Sequence, residues 1–299
     1  MDIVTHAGIG LIAAAPLAGP HPEIALGIVA GSVLPDLDAV GRIFGKQAFL
    51  RVHQTWTHAL PLQAGFSLLA GGVAQVLGIS GVQTGLGLFI GLVAHTFLDF
   101  TNTLGVTLLA PFSRKRFCLE WIFFIDAVVL SLTAGAAGLT IYAFSRSGGV
   151  PPSYAEAFFA ALIAYAVVKA ALRARAGSLA SEAVSLIPSA LYPWRFLGVI
   201  DRKTHVDLFQ INALTGIRKS LAEHEVFDAA YATLLSRVPE FRLMSELSPA
   251  YHIVNARKTD AGELILCRDL RIRNFGTRFG DLELVIDADQ RVKCLKFHV

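Results

Sequence analysis

The chain has 299 residues, of which 54% are apolar and only 16% are charged, and its mean hydropathy is +0.56. Because a soluble domain carries about a quarter charged residues, these values exclude an ordinary soluble protein. The net charge of +3 is too small to indicate nucleic-acid binding. The three cysteines are far apart and form no CxxC pair, which argues against both a disulfide framework and a thiolate metal site.

The shortage of charge is confined to the first part of the chain. Residues 1–176 contain 10 Lys/Arg and 8 Asp/Glu, whereas residues 177–299 contain 16 and 15. This contrast predicts a membrane domain over 1–176, followed by a soluble domain over 177–299. No basic segment precedes the first apolar run, so we expect no cleaved signal peptide.

Apolar runs of about the length that a bilayer requires predict the membrane helices. Four of them cover residues 59–79, 82–98, 121–145 and 157–168. Residues 3–22 form a fifth run. The shorter run 24–35 is interpreted either as a span or as a half-helix or re-entrant segment. We therefore expect an α-helical polytopic domain with about five to six membrane segments.

The Lys and Arg residues predict the orientation of these segments. When the segments cross the membrane alternately, nine Lys/Arg residues fall on one face and only Arg146 falls on the other. The positive-inside rule makes the first face cytoplasmic. The expected protein is a multi-pass inner-membrane protein with both termini and the loops 36–58 and 101–120 in the cytoplasm.

The soluble part is predicted to be a small α+β domain. Residues 219–237 show helical apolar spacing. The strands are expected at 251–258, 263–268, 281–287 and 291–297, and the alternation in the third of these favours an antiparallel sheet. The histidines of this part are scattered, so we interpret them as structural or surface residues: His205, His224, His252 and His298.

The membrane part carries a small set of ionisable residues at the ends of predicted helices. An ionisable residue in a membrane segment is costly and suggests a function. In the topology set by Lys and Arg alone, all of these residues lie at the cytoplasmic end. The candidate metal ligands are His6, Asp36, Asp38, His53, His58, His95 and Asp99.

The spacing and the residue types of this set suggest a metal centre. His95 and Asp99 lie one helical turn apart, so both can face the same ion. Four imidazoles and three carboxylates without thiolates suit Zn²⁺, with Mn²⁺ or Fe²⁺ as alternatives, rather than calcium. Seven ligands exceed one tetrahedral site, so one or two ions are expected. A proton or ion pathway is the rival interpretation, and it would place ionisable groups at several depths.

Neighbouring residues have two interpretations each. Asp126 is either a second-shell partner of a ligand or a buried acid that caps a helix. Asn102 follows Asp99 closely and is a second-shell candidate. The run Arg114-Lys115-Arg116 either anchors the chain to anionic lipid or uses Arg114 or Arg116 to bind a substrate phosphate or carboxylate.

These motifs, taken in order, resemble the YdjM-like family of inner-membrane metal-dependent hydrolases. The match covers about residues 1–145 and comprises Thr5-His6, the Gly-Ser-x-x-Pro-Asp-x-Asp of 31–38, the His pair of 53–58, the His-x-x-x-Asp of 95–99 with the following Asn-Thr-x-Gly, and the Pro-Phe-Ser-x-x-Arg of 111–116. The resemblance implies a bacterial or archaeal protein with a metal site at the seven residues named above. Gln54 stands where the family pattern has a basic residue.

The sequence thus predicts a membrane metalloenzyme that hydrolyses its substrate with a metal-activated water. A site at the depth of the lipid headgroups favours an amphiphilic or lipid-linked ester or phosphoester as the substrate. The alternative is a non-catalytic metal-binding protein, either a transporter or a scaffold whose soluble domain binds a partner. The sequence does not define an oligomeric state.

Overall fold

The computed structural model describes residues 1–299 apart from 53–54, 261, 272–277, 288, 290 and 299, and it leaves the side chains of 42, 48, 49, 52 and 294 undescribed. It divides into two compact units. Unit 1 comprises Met1–Arg42, Val52–Ala171 and Ala190–Pro193, and unit 2 comprises Ile43–Arg51, Leu172–Ser189 and Trp194–Val299. Neither unit is one continuous stretch of the chain, since 43–51 belongs to unit 2 and 190–193 belongs to unit 1.

Unit 1 is built from α-helices. They are α1 (Ile3–Ala14), α2 (Pro22–Val33), α4 (Leu60–Val76), α5 (Gly81–Phe100), α6 (Ala127–Ser147) and the first part of α7 (Pro152–Leu179), while α3 (Lys46–Val52) lies mainly in unit 2. Short 3₁₀ helices, Ala15–Leu17 and Leu34–Phe44, extend α1 and α2.

Four helical segments in the described chain are long and apolar enough to cross a membrane. These are Pro22–Gly41, Gly81–Phe100, Ala127–Ser147 and Pro152–Leu179. The segments Ile3–Leu17 and Leu60–Val76 are apolar but shorter. The 3₁₀ continuation thus gives the 24–35 run the length of a span, whereas the run 59–79, predicted as a span, falls short of that length. The helical membrane region is confirmed, but the count of five to six spans is not.

Local chemistry explains where these helices begin and end. Proline lies in the first turn of α2 and of α4, where a missing N–H costs no helical hydrogen bond. Asp126 caps the start of α6 by accepting hydrogen bonds from the backbone of Val128 and Val129. The same helix ends at Gly148, whose φ of 67° is in the left-handed region that glycine tolerates.

Helices α2 and α5 cross at facing glycines. A Cβ on Gly31 would lie 2.7 Å from the backbone nitrogen of Leu92, and a Cβ on Gly27 would lie 2.6 Å from that of Leu88. Gly87 and Gly91 meet the backbone of α2 from the other side. The glycines of both helices therefore allow a close contact, as small residues do in membrane helices.

Unit 2 contains two antiparallel sheets of four strands each. The first has the order β1 (Ser185–Pro188), β2 (Arg195–Asp201), β3 (His205–Asn212) and β4 (Arg218–Glu225). The second has the order β5 (Tyr251–Thr259), β6 (Gly262–Asp269), β7 (Leu282–Ile286) and β8 (Val292–Phe297). Two short helices, α8 (Ala232–Leu235) and α9 (Pro239–Leu247), lie between the sheets in sequence.

The predicted strands of the second sheet are confirmed, with antiparallel pairing throughout. The inward side chains of β6 and β7, such as Ile265 and Leu284, are fully buried in one apolar core. The first sheet was not predicted as a sheet, although its strands β2 and β3 also bury a core that includes Phe196 and Ile211.

The helix predicted over 219–237 is wrong. Its first part forms β4, which pairs with β3 through contacts such as Leu208 with Ala222, and only Ala232–Leu235 is helical. Strand β4 lies at the edge of its sheet and carries Lys219, Glu223 and Glu225. Charged residues are typical of an edge strand. Their spacing here is also the spacing of polar residues on a surface helix, and this similarity caused the wrong prediction.

Candidate metal centre

The start of α1, the end of α5 and two connecting segments meet in unit 1. His6 lies in the first turn of α1, Asp36 and Asp38 in the 3₁₀ helix after α2, His58 just before α4, and His95 and Asp99 in the last two turns of α5. One ligand atom each of His6, Asp36, His95 and Asp99 lies within 4.8 Å of the others. These four residues form a cluster that could bind a metal ion.

Asp99 is at the centre of the cluster and is fully buried. Its Oδ1 lies 3.2 Å from His6 Nε2, and its Oδ2 lies 3.1 Å from His58 Nε2. The two oxygens of one carboxylate therefore face different imidazoles. The amino group of Met1 also contacts Asp99 Oδ1.

His95 lies between the other ligand candidates. Its Nε2 is 3.1 Å from His58 Nε2 and 3.6 Å from Asp36 Oδ1. Its ring stacks on that of His6, with 3.7 Å between the ring centroids. His58 thus extends the four-residue cluster to a fifth residue.

Hydrogen bonds to the outer ring nitrogens fix the tautomers of two histidines. His95 Nδ1 lies 2.8 Å from the carbonyl oxygen of Ser32, which can only accept, so His95 Nδ1 carries the proton. Thr57 donates its hydroxyl to Asp38 Oδ2 at 2.7 Å and therefore accepts from His58 Nδ1 at 2.9 Å. In the neutral rings, Nε2 of His58 and Nε2 of His95 then carry no proton, and their lone pairs are available to a cation. These two nitrogens face each other.

This arrangement fits a bound cation. Two imidazole lone pairs converge with carboxylate oxygens in a region where His58, His95 and Asp99 are all buried, and buried charges need a counter-charge. His6 Nδ1 is buried without a hydrogen-bond partner among the described residues. Hydrogen bonds from the outer nitrogens of ligand histidines are the usual support of a protein metal site.

The other predicted ligands have different positions. Asp38 is buried and reaches His58 through Thr57, with 3.9 Å between its Oδ2 and His58 Nδ1. Asp38 therefore orients His58 indirectly, because it accepts the hydrogen bond of the Thr57 hydroxyl that contacts His58 Nδ1. His53 and the adjoining Gln54 lie outside the described residues.

Asn102 contacts the cluster directly. Its Nδ2 donates to Asp99 Oδ1 at 3.2 Å, and its Oδ1 accepts from the backbone nitrogens of Leu104 and Gly105. Asn102 therefore joins Asp99 to the turn that follows α5. Gly105 has a φ of 73°, which glycine adopts readily.

The two arginines of the loop differ in position. Arg116 is partly buried, and its guanidinium donates to the carbonyl oxygen of Gly105 at 3.1 Å. Burial lowers the pKa of Arg116, and the nearby charge of Asp38 opposes this effect. Arg114 is exposed on the same loop.

Asp126 belongs to a separate network. Its Oδ1 caps α6, and both its oxygens accept from the Tyr165 hydroxyl at 2.9 and 3.0 Å. Lys169 Nζ lies 3.9 Å from Asp126 Oδ2 and donates to the carbonyl oxygen of Pro193. Of the two interpretations of Asp126, the structure agrees with the buried acid that caps a helix, because helix capping and this network use its oxygens.

The sequence analysis did not identify two groups that bond the cluster histidines: the carbonyl of Ser32 and the hydroxyl of Thr57. Threonine precedes histidine at both 5–6 and 57–58, and this repetition was a usable signal for Thr57. A backbone carbonyl such as that of Ser32 leaves no signal in the sequence.

A second group of metal-ligating side chains lies on unit 2, at His205, Asp207 and Glu223. It is partly exposed, and Asp207 is paired with Arg202 at 3.0 Å. Arg202 already neutralises the carboxylate of Asp207. Unlike the cluster in unit 1, this surface group is therefore not a set of buried carboxylates and imidazoles that need a bound cation.

Comparison with known proteins agrees with the membrane character of unit 1. The model of the YdjM inner membrane protein family matches residues 1–176. The uncharacterized protein YfhP of Bacillus subtilis (strain 168) is 24% identical over 186 residues, which cover 58% of this chain and 55% of YfhP. The match thus spans about half the length of that relative. No solved structure matches the chain. Because the family model covers more than half of the residues, the chain belongs to the YdjM family of inner membrane proteins.

Proposed function

We propose that the protein is a membrane-bound metal-dependent hydrolase that acts on an amphiphilic or lipid-linked ester or phosphoester. The observation that carries this proposal is the buried convergence of His6, His58 and His95 on the carboxylate of Asp99. A divalent metal bound there supplies a water of lowered pKa as the nucleophile. Zn²⁺ suits imidazole and carboxylate ligands, and Mn²⁺ and Fe²⁺ are the alternatives.

The two faces of Asp99 support a centre for two ions. Oδ1 faces His6, whereas Oδ2 faces His58. If metal were bound here, Asp99 would hold it together with His6 and His58, and Asp36 and His95 would be the further residues available to it. Asp36 is the carboxylate with some solvent access, since 12% of its side chain is exposed. It is placed to exchange protons with the surroundings.

The position of the cluster supports an amphiphilic substrate. It lies at the ends of the apolar segments Pro22–Gly41 and Gly81–Phe100, so a polar headgroup can reach it while an apolar tail stays in the bilayer. The excess of Lys and Arg in the loops 36–58 and 101–120 favours a cytoplasmic location for this end and for both termini.

The first experiment is elemental analysis of the detergent-purified protein. The His95→Ala/Asp99→Ala variant is compared with the wild type and with His21→Ala/Asp260→Ala, which removes the same residue types from exposed positions. We expect roughly one to two equivalents of metal in the wild type and in the control, and loss of that metal in the cluster variant.

The same preparations then test hydrolysis. Long-chain esters and phosphoesters should be cleaved by the wild type and the control but not by the cluster variant. A folded wild type that binds no metal even after reconstitution would refute the hydrolase and shift attention to the scaffold alternative. Metal binding without hydrolysis of any long-chain substrate would favour a transporter.

A further inference from the structure

The two turns at one end of the first sheet carry exposed apolar side chains. The antiparallel order β1-β2-β3-β4 places the turn after β1 and the turn after β3 at the same end of the sheet. The opposite end has instead the polar turn Arg202-Lys203-Thr204. Exposed apolar side chains gathered in this way mark an interaction site. The residues concerned are Leu191, Tyr192, Leu214 and Ile217, whose exposed fractions lie between 44% and 68%.

The turn after β1 is bonded to two helices that are long and apolar enough to cross a membrane. Within unit 1, the backbone nitrogen of Ala127 donates to the carbonyl oxygen of Ala190 at 2.8 Å, and Lys169 Nζ donates to that of Pro193 at 3.2 Å. Ala127 is the first residue of the segment Ala127–Ser147. The turn therefore lies where this segment begins, at the boundary between the hydrocarbon core and the lipid headgroups.

Helix α7 gives a second estimate of the same depth. It begins at Pro152, and the hydrocarbon core takes up about 20 residues of a helix, so the core ends at about residue 171. Lys169, which bonds the turn after β1, lies close to that limit. The two helices thus agree on the depth of this turn.

The turn after β3 is bonded to a residue at headgroup depth. Within unit 2, Arg175 Nη2 donates to the carbonyl oxygen of Leu214 at 3.2 Å. Arg175 follows the estimated end of the core by about four residues, or about 6 Å of helix, and the headgroup layer is about 5–8 Å thick. The same turn is ordered by Asn212, whose Oδ1 accepts from the backbone nitrogen of Leu214.

The residue types of the two turns fit this depth. Tyrosine and tryptophan are enriched at membrane–water interfaces, and Tyr192 and Trp194 are both exposed beside the first turn. The exposed guanidinium of Arg175 suits the lipid phosphates, because long basic side chains extend toward the headgroups from a helix end. The lipid interface therefore matches both the apolar and the basic side chains at this end of the sheet.

We infer that the turns after β1 and β3 enter the membrane interface, with Leu191, Leu214 and Ile217 in contact with the upper parts of the acyl chains. The partner of this surface is the phospholipid bilayer in which the protein resides. The inference is independent of the metal cluster. It extends the membrane contact to the region 177–299, which the composition predicted to be a soluble domain.

The test measures the depth of nitroxide labels in the full-length protein, in nanodiscs of phosphatidylcholine and phosphatidylglycerol. Leu191→Cys and Ile217→Cys are labelled in a Cys118→Ser/Cys294→Ser background, in which Cys267 is buried. Lys203→Cys, at the opposite end of the sheet, is the matched control. Collisions with oxygen report contact with lipid, and collisions with a water-soluble nickel chelate report contact with water. We expect the labels at 191 and 217 to lose most of the nickel collisions that the label at 203 shows.

Tryptophan fluorescence provides a second measurement that needs no label. Trp56→Phe/Trp121→Phe leaves Trp194 as the only tryptophan of the chain, and lipids brominated on their acyl chains should quench its emission. Thermal melting in the same nanodiscs checks that each variant is folded.

Nickel collisions at 191 or 217 equal to those at 203 would overturn the inference, as would Trp194 emission that brominated lipids leave unchanged. Either result would place the apolar end of the sheet in water, as a surface for a protein partner. Both measurements are independent of the metal content and of any hydrolysis, so their failure is distinguishable from a failure of the proposed function.

Discussion

Two histidines of the cluster are held in one orientation by their outer ring nitrogens. His95 is held by the carbonyl of Ser32, and His58 is held by Thr57, which in turn bonds Asp38. Both bonds leave the inner ring nitrogen facing the cluster, so an ion bound as proposed would meet imidazoles that are already oriented.

Thr57→Val tests this support at His58. The change keeps the shape of the side chain and removes the hydroxyl between Asp38 and His58. Loss of such a partner typically weakens metal binding about 10–100-fold, and we expect that loss in a competition titration of Zn²⁺ with a fluorescent chelator. Thr84→Val is the control, because the Thr84 hydroxyl bonds only the exposed turn at Ser80. Equal affinity in both variants would contradict the role of Thr57.

At the residue scale, the sequence predicted several of the residues that meet in the cluster, but it did not predict the groups that bond their outer atoms. The i, i+4 spacing of His95 and Asp99 places both side chains on one helix face whatever the tertiary structure. By contrast, Asp36 lies in the cluster, whereas Asp38 bonds Thr57 beside it. This difference depends on the path of the 3₁₀ helix, which a PDxD pattern does not specify.

At the scale of helices, the close crossing of α2 and α5 positions the site. Helix α2 carries the Ser32 carbonyl and leads into Asp36, while α5 carries His95 and Asp99. The glycines at the crossing set the distance between these two groups of ligands.

Gly31→Ala should therefore reduce both stability and metal affinity. The new Cβ would lie 2.7 Å from the backbone nitrogen of Leu92, so the helices must separate, at a cost of about 1–3 kcal/mol. Gly72→Ala on α4 meets nothing within 4 Å and should not destabilise the protein. Thermal melting and the chelator titration measure the two effects, and an unchanged melting temperature for Gly31→Ala would refute the close crossing.

Asp126→Asn should lower stability without lowering metal content. It removes the charge that faces buried Lys169 at 3.9 Å, and breaking a buried pair costs about 3–5 kcal/mol. Asp126→Asn/Lys169→Met should recover part of that loss, because the buried ammonium is removed together with the carboxylate that faces it. Melting curves and elemental analysis give the two readouts. A variant that melts normally but has lost its metal would instead place Asp126 in support of the cluster.

The errors in the predicted elements have physical causes. The assignment of residues 219–237 failed because an edge strand and a surface helix can share polar spacing over eight residues, and pairing with β3 decided the outcome. Strand β7 of the second sheet, by contrast, alternates strictly in its burial, and that pattern has no helical counterpart.

At the scale of the whole molecule, the topology rests on the distribution of Lys and Arg, and cysteine labelling can test it. Cys118 is exposed in the loop after α5, whereas Cys267 is buried. Burial raises the pKa of the Cys267 thiol, with the charges of Asp228 and Asp281 adding to the effect. Its reactive thiolate is therefore scarce at neutral pH.

A membrane-impermeant maleimide should label Cys118 in inverted inner-membrane vesicles but not in intact spheroplasts. The experiment uses a Cys294→Ser background, and Cys118→Ser in that background is the control that should remain unlabelled until the protein is denatured. Labelling of Cys118 from outside would reverse the proposed orientation and place the cluster on the opposite side of the membrane.

The long sequence separation of the ligands determines when the site can form during synthesis. His6 and Asp99 are in contact although 93 positions separate them. At about 5–20 residues per second, roughly 5–20 seconds pass between the emergence of the two residues from the ribosome. Throughout that interval Asp36 and His6 lack their partners on α5. If the cluster binds metal as proposed, the metal can be acquired only after α5 has been made, so a chain arrested before that helix should carry no metal.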